Sequence, residues 1–141
     1  MNKPKYFGLE ELLESSTALE KKIKNYPSWE QIEHLNELAL FLDELREAWG
    51  SALRISSGLR RKLLNKAVGG SETSVHQIGF AADIVPVNGK FNDFVDFIKE
   101  WAKDKNYDQI IIETNGKAKW VHIGLYNNAG KQRKLLFKMS A

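Results

Sequence analysis

The chain contains no cysteine, which excludes disulfides and thiolate metal sites, so any metal must be held by histidine and carboxylate groups. A cysteine-free chain suits either redox compartment. No run approaches the ~20 apolar residues of a membrane-spanning helix, so no membrane span is expected. The opening "MNKPKYFGLEELLESS" lacks the apolar stretch of a secretion signal, and the expectation is a chain made in the cytoplasm. Internal repeats, low-complexity tracts and linkers are also missing. A strong charge imbalance is absent too. The net charge of +3 and pI near 9.0 fall well short of the dense basic stripe of a nucleic-acid binder, and the basic segment "LRRKLLNK" is too short and mixed for a recognition helix. No nucleic-acid partner is expected.

The 141 residues, 43% hydrophobic and 28% charged, suit one globular domain spanning 1–141. The first half reads as helical. "FGLEELLES" gives a short helix, and "STALEKKIKN" offers Thr17 and Glu20 at capping-box spacing. "SWEQIEHLNELALFLDELREAWG" repeats the pattern with Ser28 and Gln31, carries apolar residues at helical spacing, and stops at Gly50. "LRRKLLNKAVGG" predicts a helix with Leu63, Leu64, Ala67 and Val68 inward, and "FNDFVDFIKEWAKDKN" another with Phe94, Phe97, Ile98 and Trp101 inward. Strand patterns follow in "ALRISS", "AADIVPV", "YDQIIIET" and "AKWVHIGLY", with "RKLLFKM" as a last edge strand. Helices first and strands later predict an α+β fold, helices packed on a mostly antiparallel sheet.

Asn115-Gly116 predicts a hairpin between "YDQIIIET" and "AKWVHIGLY". With these two residues as the loop, Ile111 faces Trp120 and Gln109 faces His122. One face carries Gln109, Ile111, Glu113, Ala118, Trp120 and His122; the other carries Ile110, Ile112, Val121, Ile123 and Leu125. The second face is uniformly aliphatic and reads as core. The first holds a carboxylate, an indole and an imidazole, and reads as a site.

Asp83 interrupts the apolar run "AADIVPV", where a buried carboxylate must be paired, hydrogen-bonded or metal-bound. His76, Asp83 and His122 would supply three ligands and leave a fourth position open, the pattern of a catalytic zinc ion. Glu113, on the same face, could then take a proton. Spacing alone makes a weak case for a metal, since a buried His–Asp hydrogen bond would explain the pair without one. The third histidine, His34, falls on the apolar arc of the long helix and reads as a packing residue.

"SVHQIGFAAD" fits S-x-H-x-x-G-x-A-x-D and "WVHIG" fits W-x-H; together they resemble the zinc D-alanyl-D-alanine carboxypeptidases and phage endolysin L-alanyl-D-glutamate peptidases of the hedgehog/DD-peptidase fold. "RISSGLRRKLLNKAVGGSETS" and "FGLEELLESSTA" extend the resemblance over nearly the whole chain. It implies one Zn2+ ion on His76, Asp83 and His122, with Glu113 as the base that deprotonates the attacking water. It also implies Arg60 as a hydrogen-bond donor to substrate, and Ser74 and Trp120 as walls of the substrate cleft. The implied substrate is a peptidoglycan stem peptide, cut by a monomer of phage or prophage lysis type that reaches the wall after release. Two alternatives stand beside it: a D-alanyl-D-alanine carboxypeptidase, and a non-catalytic zinc module that binds cell wall. Leu59 replaces a common aromatic and Gly124 a common serine, and both are expected to bear on substrate fit.

Overall fold

The structure, a computed structural model, describes residues 3–140. Two short helices, α1 (Leu9–Leu13) and α2 (Ser16–Lys21), precede the long α3 (Trp29–Trp49). The Ser28–Gln31 capping box forms as expected, each side chain accepting from the other residue's backbone. Gly50 ends the helix at φ 80°, in the left-handed region that glycine adopts without strain. At α2 the expectation needs correcting. The cap is Ser15, whose hydroxyl accepts from the Ala18 amide, and the Thr17–Glu20 pair lies inside the helix.

Strand β1 (Leu53–Ser57) leads through α4 (Lys62–Ala67) and a single 3-10 turn at Val75–Ile78 to β2 (Ala81–Pro86). Helix α5 (Phe91–Trp101), the hairpin β3 (Gln109–Asn115) and β4 (Ala118–Gly124), and β5 (Leu135–Ser140) complete the domain. The sheet order is β1-β2-β4-β3-β5, antiparallel throughout except for the edge strand β5, which runs parallel to β3. This is the expected α+β fold. Pro86 is tolerated because β4 pairs with β2 only as far as Ile84, so its missing N–H leaves no ladder bond unmade.

One face of the sheet carries the core. Ala82, Ile84, Ile110, Ile112, Val121 and Ile123 pack against Leu35, Leu38, Leu42 and Leu45 of α3 and Phe94 and Ile98 of α5. Helix α4 departs from its expected inner face. Only Leu64 is fully buried; Leu63 and Val68 are exposed and Asn65 is buried instead. The buried amide is local architecture: Asn65 Nδ2 donates to the Ser71 carbonyl, and its backbone carbonyl accepts from the Gly70 amide. That pins the Gly69–Gly70 turn leading into the 3-10 turn. A helix of under two turns cannot bury a full stripe, so tertiary need overrides periodicity.

The hairpin loop is Gly116-Lys117, one residue later than Asn-Gly predicts, and Ile111 now faces His122 while Glu113 faces Trp120. Gly116 has φ 62° and Lys117 has no positive φ, the pattern of a II′ loop with glycine in first place. The pairing shifts by two residues. Because side chains alternate with period two, no residue changes face.

Candidate metal centre

Register builds the site. Asp83 of β2 lies directly opposite His122 of β4, and His122 lies opposite Ile111 of β3, so all three point from the face that the core does not use. His76 comes from the 3-10 turn, which packs over this face and is held there from two sides. Helix α3 supplies one: His34 Nδ1 donates to the Ile78 carbonyl at 2.6 Å, its ring stacks on Phe80 at 3.9 Å, and Gln31 Nε2 donates to the Gln77 carbonyl. His34 is the packing residue its position implied. A side chain at Gly79 would come within 3.0 Å of the Gln31 carbonyl oxygen, and glycine there keeps the turn against the helix.

The other support is the Gly58–Arg60 segment. His76 Nδ1 lies 2.8 Å from the Gly58 carbonyl oxygen, and a carbonyl only accepts, so Nδ1 carries the proton and Nε2 presents a lone pair. Such a bond fixes both tautomer and ring direction. The Nε2 atom is 3.4 Å from Asp83 Oδ1, and His122 Nδ1 is 3.0 Å from the same oxygen. The three ligand atoms lie within 4.8 Å of one another. Two donors bound to one tetrahedral ion sit roughly 3.4 Å apart, given bonds of about 2.1 Å, so the spacing fits.

Electrostatics point the same way. Burial pushes the His76 pKa down, with only partial compensation from Asp83. Burial also works against the Asp83 charge, but the two neighbouring imidazoles outweigh it, His122 through its Nδ1 hydrogen bond, and the Asp83 pKa lies well below the ordinary carboxylate range. A neutral imidazole lone pair and an ionised carboxylate therefore converge on one point, an arrangement that calls for a cation. These are also the protonation states that metal ligands need.

The remaining candidates share a cleft of about 870 Å³ with the triad. Trp120 Nε1 donates to Glu113 Oε2 at 2.6 Å, so the indole, expected as a cleft wall, also fixes the carboxylate. Arg60 donates its backbone N–H to the His76 carbonyl, and its Nη2 reaches Ser74 Oγ at 3.5 Å. Its Nε is buried without a hydrogen-bond partner among the described residues. Burial pulls the Arg60 pKa down while Asp83 and Glu113 pull it up. Ser74 Oγ accepts from the His76 amide, the loop bond that competes with a substrate role.

Leu59 is 2% exposed within the core and does not line the cleft; its departure from the family pattern bears on packing rather than substrate fit. A side chain added at Gly124 would start 3.5 Å from His122 Nε2, so that position does touch the site.

Asp108 and Arg133 also line the cleft and escaped sequence reasoning. Asp108 looks like a strand-edge residue in "YDQIIIET", and nothing local pairs it with an arginine 25 positions later. A lone acid ahead of an apolar run was the one available signal.

A family model described as Peptidase M15 matches residues 5–124. No curated protein matches the chain significantly. That match covers most of the chain and all of the His-Asp-His cluster, Arg60, Glu113 and Trp120, so the chain belongs to the peptidase M15 family, zinc peptidases of the D-alanyl-D-alanine carboxypeptidase and endolysin type.

Proposed function

We propose that this protein is a zinc peptidase that hydrolyses peptidoglycan stem peptides, a lysis-type enzyme of phage or prophage origin that meets the wall after release. The observation that carries the reading is the convergence of His76 Nε2, Asp83 Oδ1 and His122 Nδ1 beside a carboxylate held by an indole. One zinc ion, held by those three groups, would supply a Lewis acid that makes water nucleophilic near neutral pH and polarises the peptide carbonyl.

The chain's own groups do the rest. Glu113 takes the proton from the attacking water and returns it to the leaving amine, and Trp120 keeps its carboxylate aimed at that task. Arg60 offers a planar donor to a substrate carbonyl or carboxylate. Ser74 steadies the guanidinium from the loop side.

Mass spectrometry of digested, purified peptidoglycan names the bond cut, since each cleavage leaves distinct new termini. Glu113→Gln should retain about one zinc per chain by elemental analysis while hydrolysis falls by about 10³-fold. Intact peptidoglycan with the wild-type, zinc-loaded protein would remove the reading.

A further inference from the structure

We infer that Arg133 is a second substrate anchor, which binds a free carboxylate of the peptide at the end of the cleft away from Glu113. This rests on the peptidase reading above. The order along β3 sets the layout. Glu113 lies opposite Trp120 next to the hairpin loop, Ile111 opposite His122, and Gln109 opposite Gly124. Asp108 comes just before, its amide donating to the Gly124 carbonyl. At about 3.3 Å per residue, Asp108 stands ~10 Å along the strand from the level of His122, on the side opposite Glu113.

Asp108 is 2% exposed and serves as the seat of Arg133. Arg133 donates through Nε to Oδ1 at 2.7 Å and through Nη2 to Oδ2 at 2.9 Å, with its backbone N–H also on Oδ1 at 3.2 Å. This two-pronged pairing fixes the plane of the guanidinium. The third nitrogen, Nη1, has no hydrogen-bond partner among the described residues, and the side chain is 47% exposed and lines the cleft. The surrounding loop is hydrogen-bonded in place: Asn127 Oδ1 accepts from two of its amides, and Asn128 Nδ2 donates to the Thr73 carbonyl, tying it to the segment that leads into His76. A preorganised, half-solvated cation with one free donor edge suits a carboxylate.

Two carboxylates of a stem peptide share this chemistry, the terminal one and the free α-carboxylate of a γ-linked glutamate. Three synthetic stem peptides separate them: both carboxylates free, the C-terminus amidated, or the glutamate replaced by isoglutamine. With the zinc-loaded wild type, one amidation should raise KM by about tenfold and leave kcat within about twofold. Arg133→Gln should bind the acid and that amide with equal KM. Asp108→Asn/Arg133→Gln, which strands no buried carboxylate, should do the same with an unchanged near-ultraviolet circular dichroism spectrum, and carries the test if the single variant does not fold.

Amidation of the C-terminus as the sensitive change would identify the terminal carboxylate as the ligand, and of the glutamate the internal one. Discrimination that survives both variants, or that disappears with Arg60→Gln alone, would overturn the assignment to Arg133. Equal KM for all three peptides with the wild type would overturn it too. Failure of the wild type to cut any of them would instead strike the peptidase reading, and this anchor with it.

Discussion

At the scale of single residues, the site depends on side chains that orient other side chains. Trp120 is the plainest case, since its indole N–H is hydrogen-bonded to Glu113. Trp120→Phe keeps most of the wall and removes that bond. If Glu113 is the base, as proposed, kcat should fall by about tenfold, with KM and zinc content close to wild type, because an unaimed base costs the reaction more than it costs binding. Steady-state kinetics with paired metal analysis would check this; a rise in KM alone would make the indole only a wall. His76, Asp83, His122 and Glu113 were legible in the sequence because imidazoles and carboxylates on an apolar background need a reason. The Trp120–Glu113 bond was not legible, because the expected register placed Ile111 opposite Trp120. Two residues of slip left both side chains on the right face and still changed their neighbours.

At the scale of elements, the N-terminal helix α1 matters to a site it does not enter. A side chain on Gly58 would come 2.2 Å from the Leu12 carbonyl oxygen, and the Leu59 amide donates to that same oxygen at 2.7 Å. Backbone against backbone leaves no flexible group to yield. Gly58→Ala should therefore cost roughly 1–3 kcal/mol in denaturant unfolding. It should also weaken zinc by about tenfold in a competition assay, since the Gly58 carbonyl orients His76. A second element, the loop from β4 to β5, hangs on Asp108. Arg133 hydrogen bonds hold the Asp108 pKa below its ordinary value against a smaller opposing effect of burial. For a carboxyl group shifted down, the stabilisation is complete above the unfolded pKa of about 3.9 and is lost as pH falls through the folded value. Asp108→Asn should thus be less stable at pH 7 and show a shallower acid decline below about pH 4. Urea midpoints measured from pH 7 to pH 2.5 would test that slope, and parallel curves would rule the linkage out.

At the scale of the whole molecule, a polar face is kept open beside a closed aliphatic core, and a bound ion would tie the turn to the sheet. Zinc that binds only the folded chain stabilises it by mass action, about 2.7 kcal/mol at a hundredfold excess over its Kd. Tm should then rise by roughly 5–10 °C on adding zinc and fall back with a chelator; an unmoved Tm in differential scanning calorimetry would count against a site spanning both elements. Among the described residues no helix is long and apolar enough to cross a membrane. The sequence by itself determined the α+β order of elements, the division of the hairpin into an aliphatic and a functional face, and the three groups able to hold a metal. The first two follow from local periodicity; the third follows from the cost of burying a carboxylate in apolar surroundings together with the family resemblance of the two histidine motifs. Only the tertiary structure decided the strand register, the parallel edge strand, the seating of His76 between α3 and Gly58, and the meeting of Asp108 with Arg133. Each of these joins segments far apart in the chain, where packing sets the geometry and no local pattern records it.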